Sequence, residues 1–380
     1  MSFSDFGLHP DLLRGIHDLG FTRPTPIQQD AIPPAMIGRD LLACAMTGSG
    51  KTAAFGLPVL HHLIDRPRGT TRALILTPTR ELAAQTDQSL RLLAVHTPIT
   101  TAAIFGGVEM ISQGSALSRG VDVVTATPGR LIDHFRFPHG RLAGLEYLVI
   151  DEADRMLDMG FLPDIERILR HLPPPKQTLF FSATLPPPIV ALTREMLKDP
   201  VAINLQRQSA PAVGITQTVY AVSREQKASL LVQLLRRGGV DYVLIFTRTK
   251  IGASRLAERL SREGIRCESI HGDRDQEQRM AALASFKSGR RRVLVATDVA
   301  ARGIDVEAIG HVVNFDVPRA AHDYVHRVGR TARAGVVGEA ITFVSPEEEE
   351  DMARIEKALG TPLPRLSVQG RRHGGGHRRR

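Results

Sequence analysis

The chain has 380 residues, room for two ordinary domains with full cores, and a formal net charge of +9. Five of those charges are Arg371, Arg372, Arg378, Arg379 and Arg380, so basicity gathers in the tail and says little about the body. Cys44 and Cys267 follow no metal-ligand spacing, no apolar run is long enough to span a membrane, and Met1-Ser2-Phe3-Ser4-Asp5 lacks a basic-then-apolar leader pattern. These features argue against a disulfide scaffold, a membrane span or a secreted chain, and a soluble cytoplasmic protein is expected.

Strand-like and helix-like segments alternate from about residue 40 to residue 345. Strands are expected at 40–45, 72–77, 100–105, 121–126, 145–150 and 177–182, and again at 217–222, 242–247, 266–270, 292–297, 311–315 and 339–344. That alternation predicts α/β architecture, with mainly parallel sheets covered by helices on both faces. The polar stretch Gln206-Arg207-Gln208-Ser209-Ala210-Pro211 has no periodicity and marks the boundary between the halves. The expected domains are 1–206 and 214–364, joined by a linker at 207–213. Residues 365–380, rich in Gly, His and Arg, read as a disordered basic tail. That tail is either a solvated solubility segment or a nonspecific nucleic-acid-binding arm.

The first motif is Gly20-Phe21-Thr22-Arg23-Pro24-Thr25-Pro26-Ile27-Gln28. The Gln28 amide can pair with both N6 and N7 of adenine, and guanine would mismatch it. Phe3 is the candidate to stack on the adenine face; Phe6 competes, and Phe3 could instead staple the first helix. Next, Leu41-Leu42-Ala43 runs into Ala45-Met46-Thr47-Gly48-Ser49-Gly50-Lys51-Thr52, a strand, a glycine-rich loop and a helix start. Such a loop turns backbone N–H groups toward phosphate, and the helix N-terminus adds partial positive charge. Lys51 would reach the β- and γ-phosphates, and the Thr52 hydroxyl would ligate Mg²⁺. One hundred residues on, Tyr147-Leu148-Val149-Ile150 delivers Asp151-Glu152-Ala153-Asp154 to a strand's carboxyl end, where ligands bind in parallel sheets. Asp151 can hold Mg²⁺ there, and Glu152 can orient or activate the attacking water.

Three further turns offer hydroxyls, small residues and arginine: Pro78-Thr79-Arg80, Gly106-Gly107 and Thr127-Pro128-Gly129-Arg130. Taken together they suit a sugar–phosphate chain crossing strand ends without base readout; taken singly, each could be an ordinary strand–helix turn. Ser182-Ala183-Thr184 could relay between the nucleotide site and a neighbouring domain, or cap a helix. In the second half, Arg248 follows a strand, Thr297 begins a run ending at Asp305, and His326-Arg327-Val328-Gly329-Arg330 follows Tyr324. Arg327 and Arg330 share a helical face and are read as having no carboxylate partner on it. They read either as arginine fingers on a γ-phosphate or as an exposed basic face.

The order of these motifs, including Asp151-Glu152-Ala153-Asp154 itself, resembles the DEAD-box ATP-dependent RNA helicases of superfamily 2, within which the chain is similar to the bacterial RhlE-like group. The likeness runs from Phe3 to about Arg333, and Ala45 fits the family pattern; Ala332 stands where many relatives carry Gly. The resemblance implies two RecA-like domains. ATP and Mg²⁺ would lie between Phe3, Gln28, Thr47, Gly48, Ser49, Gly50, Lys51, Thr52, Asp151 and Glu152 on one side and Asp305, Arg327 and Arg330 on the other. Ser182, Thr184, Asp154 and His326 would couple the domains. RNA would cross Pro78, Thr79, Arg80, Gly106, Gly107, Thr127, Pro128, Arg130, Arg248, Gln276, Arg279 and Thr297. The implied activity is RNA-stimulated ATP hydrolysis with local unwinding of short duplexes. The alternatives are an ATP-gated RNA clamp with little unwinding and a DNA-directed enzyme. A monomer is expected, and ribosomal or RNA-decay proteins are compatible partners.

Overall fold

The computed structural model describes residues 1–45, 48–140, 142–204, 215–237, 240, 242–301, 309–331 and 338–367. They form two compact units, each built on a seven-stranded sheet in which every pairing is parallel.

The strands of the first unit are β1 (Leu41–Cys44), β2 (Ala73–Leu76), β3 (Thr101–Ile104), β4 (Val123–Ala126), β5 (Tyr147–Ile150), β6 (Gln177–Ser182) and β7 (Val201–Asn204). Their order across the sheet is β3-β4-β2-β5-β6-β1-β7. β2, β4, β5 and β6 are short, mainly apolar runs buried along their whole length, as a parallel sheet covered on both faces requires. Because successive side chains point to opposite faces, each strand feeds two cores. Ala73, Ile75, Tyr147, Val149, Leu179 and Phe181 join one core with the helices Pro26–Met36 and Lys51–Leu63. Leu74, Leu76, Leu148, Ile150 and Phe180 join the other with the helix Leu162–His171.

The second unit holds β8 (Ile215–Ala221), β9 (Val243–Thr247), β10 (Cys267–Ile270), β11 (Val293–Thr297), β12 (His311–Asn314), β13 (Gly338–Val344) and β14 (Arg365–Ser367), ordered β10-β11-β9-β12-β13-β8-β14. Val243, Ile245, Val295 and Val313 face one core, and Val219, Ala340 and Val344 another.

Two edge strands carry little signal in the sequence. β7 follows Lys198-Asp199-Pro200 and is half exposed at the sheet's edge, so it has no long apolar run to mark it. β14 corrects the expected tail: Arg365, Leu366 and Ser367 pair with Val219, Tyr220 and Ala221 of β8. A strand this short owes its place to the partner's open edge rather than to its own composition. Residues 368–380 and the expected linker 207–213 lie outside the described residues.

Candidate nucleotide site and nucleic-acid edge

The strand order of the first unit sorts its motifs. β5, β6 and β1 are neighbours, and from their carboxyl ends come Asp151–Asp154, Ser182–Thr184 and the glycine-rich loop. β3, β4 and β2 are also neighbours, and from their carboxyl ends come Gly106-Gly107, Thr127–Arg130 and Pro78–Arg80. One sheet edge therefore carries the nucleotide-type residues on one side and the backbone-binding candidates on the other.

In the loop, Gly48 and Gly50 adopt the left-handed backbone, with φ of 81° and 93°. Gly50 caps the helix Lys51–Leu63, so the first turn points its N–H groups into the loop. Thr52 is half-buried in that first turn. Lys51 is 5% exposed; its Nζ donates to the Ala45 carbonyl at 3.2 Å and stands 3.7 Å from Asp151 Oδ1. Burial pushes the Asp151 carboxyl upward, and the Lys51 ammonium opposes that shift. Thr47 and Asp305 lie outside the described residues.

Gln28 is tied to this loop. Its Oε1 accepts the Thr25 amide at 2.9 Å and its Nε2 donates to the Gly50 carbonyl at 3.0 Å. Thr25-x-x-Gln28 is thus a capping box, a pattern visible in the sequence but overlooked beside the adenine reading. One N–H and one lone pair of the amide remain for a base. A Cβ on Gly50 would lie 2.5 Å from Gln28 Nε2 and 2.9 Å from Thr25 Oγ1. Gly50→Ala is therefore expected to distort the loop at a backbone cost of ~1–3 kcal/mol and to weaken nucleotide binding ~10-fold or more, measured by titration with a fluorescent ATP analogue.

Phe3 sits elsewhere than a stacking role requires. It is buried in the first core, edge-on to Phe6 with ring centroids 6.0 Å apart, and stacked at 6.4 Å on Phe21. Phe21 keeps 43% of its surface exposed and offers the open aromatic face. The exposed ring follows Gly20 within the same motif, and Phe3 backs it.

Glu152 has φ 52°, an uncommon left-handed position for a side chain of its size. Its Oε2 accepts a hydrogen bond from Arg155 Nη1 at 3.0 Å, and both residues are buried. The spacing of three on a helix was a readable signal for Arg155. Asp154 interlocks with the next strand's exit. Its Oδ2 accepts the Thr184 amide and hydroxyl, each at 2.8 Å, while its own amide donates to Ser182 Oγ at 3.1 Å. Ser182, Thr184 and Asp154 therefore form one hydrogen-bonded unit within the first domain.

On the other side of that edge, Thr79 caps the helix Arg80–Leu93, accepting the Leu82 amide at 3.4 Å. Gly106 leaves room for Arg80, whose Nη2 would lie 3.0 Å from a Cβ there, and Gly107 has φ 81°. The Thr127 amide donates to Ile104 at 3.0 Å, Pro128 opens the helix Pro128–His134, and Arg130 Nη1 donates to the Val108 carbonyl at 3.0 Å.

In the second unit, β11 and β9 are neighbours and deliver Thr297 and Arg248 to one sheet edge. Arg248 Nη2 donates to the Val317 carbonyl at 3.0 Å and lies 3.4 Å from Glu348 Oε1 and 3.5 Å from Asp351 Oδ2. Gln276 and Arg279 belong to the helix Gln276–Lys287, and His326 is half-buried in the helix Ala321–Val328; the Gln276 side chain lies outside the described residues.

Arg327 requires a correction. It has a carboxylate partner, supplied by a distant element: Nε and Nη2 bind Asp298 Oδ1 and Oδ2 at 2.6 and 2.7 Å. Its Nη1 donates to the Asp316 carbonyl at 2.7 Å, and its guanidinium lies 5.0 Å from the Phe246 ring centroid. At 2% exposed, it is a buried strut holding β9, β11 and β12 to its helix. Arg330 lies beyond the cap Gly329, so it is not on that helix; its amide donates to the Arg327 carbonyl at 3.1 Å. Arg327→Ala is expected to destabilise the second domain by about 3 kcal/mol, read as a lower urea midpoint, because Asp298 loses its cation.

Residues 25–192 match the family model described as DEAD/DEAH box helicase, and 226–335 match the helicase conserved C-terminal domain. The chain is 40% identical over 367 residues to the DEAD-box ATP-dependent RNA helicase RhpA of Helicobacter pylori strain B128, spanning 97% of this chain and 74% of that one. It is 43% identical over 355 residues to the ATP-dependent RNA helicase CshA of Listeria monocytogenes, spanning 93% and 68%. Among solved structures, S. cerevisiae Dbp5 bound to RNA and ADP BeF3 aligns with a TM-score of 0.87 and 32% identity over 97% of this chain and 96% of that one.

Proposed function

Because this chain belongs to the DEAD-box ATP-dependent RNA helicases, we propose that ATP bound by its first domain and RNA bound along both domains are coupled through Arg330 of the second. The protein is an RNA-stimulated ATPase that binds RNA and unwinds it in an ATP-dependent way. The observation that carries the coupling is the sorted sheet edge of the first domain, with nucleotide-type residues on β5, β6 and β1 beside backbone-binding candidates on β2, β4 and β3.

In this reading the helix start at Lys51 and the loop amides hold the phosphates, and the remaining Gln28 donor and acceptor read adenine against the Phe21 ring. The donor set suits Mg²⁺: a buried Asp151 carboxylate and the Thr52 hydroxyl are hard oxygen ligands, few in number, leaving positions for phosphate and water. When bound, Mg²⁺ neutralises charge on the transferring phosphoryl group. Glu152, held by Arg155, accepts a proton from the attacking water. The Asp154–Thr184–Ser182 unit links the end of that acidic run to the exit of β6, so a shift at one is felt at the other. Thr79, Arg80, Thr127 and Arg130 hold phosphates and sugars without reading bases. Binding of ATP and RNA is then mutually reinforcing. The protein works as a monomer in the cytoplasm.

Steady-state ATP hydrolysis with single-stranded RNA, with matched DNA and with neither tests this. Strong stimulation by RNA alone is expected; no stimulation by RNA would refute the coupling, and equal stimulation by DNA would refute RNA selectivity.

A further inference from the structure

The second domain has a strongly basic end that none of the motifs above uses. At the amino-terminal ends of its strands, the end away from Thr297 and Arg248, lies a cavity of about 940 Å³. Arg266, Arg290, Arg291 and Arg292 line it, and no carboxylate does so among the described residues. The strand register explains their gathering. Cys267 of β10 pairs with Val293 of β11, so Arg266 and Arg292, each one residue earlier, are brought alongside at the same sheet end. Like charges facing each other across strands destabilise a sheet, so this arrangement has a cost in the protein alone.

Local contacts hold several of these charges in place without removing them from the surface. Arg236 and Lys287, close in the chain to the lining residues, end helices where cations offset the helix dipole, and Arg236 also binds Glu263 at 2.8 Å. Arg291 binds Glu268 at 3.2 Å. Arg266, Arg290 and Arg292 end no helix; they occupy the approaches to β10 and β11 and are exposed, with Arg290 Nε donating to Ser288 Oγ at 3.1 Å. A concave surface lined by one sign of charge concentrates its field and selects an anion with several charges. Apolar Leu235, Val240 and Ile265 form the walls, and Ser285 adds a hydroxyl.

We propose that this rim is a second RNA-binding surface, which grips the phosphate backbone of RNA flanking the segment held at the carboxyl edge. The proposal rests on the RNA-helicase reading above. Arginine suits the role because its planar fork pairs with phosphate oxygens in two-point fashion. The contact carries no sequence information. Its effect is to keep the enzyme on a long RNA between rounds of ATP hydrolysis, when the carboxyl-edge grip is released.

The test uses the full chain and the triple variant Arg266→Gln, Arg290→Gln, Arg292→Gln, with thermal unfolding to verify that it folds like the wild type. Fluorescence anisotropy without nucleotide measures affinity for a long single strand and for a short one that fills only the carboxyl edge. For the long strand we expect affinity to fall ~10-fold and the slope of log K against log salt to shrink by about 2, one phosphate contact accounting for ~0.7 on single strands. Affinity for the short strand, and the ATPase rate it stimulates, should match wild type. The triple Lys variant should recover most of the affinity, since charge dominates the term. Unchanged long-strand affinity and slope in the Gln variant would overturn the proposal. So would displacement of the long strand by poly-glutamate of equal charge as effectively as by RNA, which would assign the rim to an acidic protein segment. Anisotropy reads binding directly, so it decides the rim even if RNA fails to stimulate the wild-type ATPase, an outcome that would count against the coupling reading alone.

Discussion

Glu152→Gln is expected to bind ATP as wild type does and to hydrolyse it ~1,000-fold more slowly, the range that follows when a positioned general base is removed. The expectation follows from where the backbone places this side chain. Glu152 leaves β5 in a left-handed conformation, beside the buried Lys51–Asp151 pair. A residue of its size holds that conformation at a cost, which the surrounding structure must offset. Arg155 supplies part of the compensation through its 3.0 Å contact to the carboxylate. Glutamine keeps the shape and an acceptor for Arg155, so the loop and the phosphate-binding residues stay in place. What it loses is the charge that can take a proton from water. Equilibrium binding of a fluorescent ATP analogue and single-turnover hydrolysis in saturating RNA separate the two effects. Turnover within a few-fold of wild type would remove Glu152 from the water-activating role. Weakened ATP binding at normal stability would mean that its charge shapes the phosphate site instead.

The sequence makes the sheets and the nucleotide loop legible because both rest on local rules. Aliphatic runs bounded by turn residues give buried parallel strands, and a glycine-rich turn between strand and helix gives an anion site. The order of strands within each sheet is not local, and it is what sorts the first domain's motifs along one edge. Other features were written in the sequence and outweighed by a more attractive reading. Thr25-x-x-Gln28 spells a capping box, and Glu152-x-x-Arg155 spells a helical ion pair. Phe21 lies inside the motif and keeps an open face, while burial denies Phe3 the stacking role expected of it. Arg327 was illegible for a physical reason. Helical spacing offers Asp323, four residues earlier, but the partner is Asp298, 29 positions away and brought close only when the helix Ala321–Val328 packs beside the exit of β11. β14 was missed because a three-residue edge strand is defined by the neighbour it pairs with.

The correction to Arg327 sharpens what its neighbour should do. Arg330→Ala is expected to lose RNA-stimulated ATP hydrolysis by ~1,000-fold while Mg-ATP still binds the first domain, the effect of removing an arginine that stabilises charge on the transferring phosphoryl group. Both arginines are buried, at 2% and 3% exposed. Arg327 has its guanidinium committed to Asp298 and to the carbonyl of Asp316, in a buried array that a phosphate would have to break. Removing one partner of such a pair strands the other, so its loss registers first as lower stability. Arg330 follows the helix cap and is joined to Arg327 through the backbone, its amide bonded to the Arg327 carbonyl at 3.1 Å. Arg327 thus fixes the turn from which Arg330 extends. The two substitutions should then part company. Arg327→Ala lowers the urea midpoint and carries activity down with it, whereas Arg330→Ala, also at a buried position, loses far more turnover than its own change in urea midpoint accounts for. If Arg330→Ala kept its RNA stimulation, charge on the γ-phosphate would have to be met by another residue of the second domain. Arg333, the next arginine along the chain, would be the first to substitute.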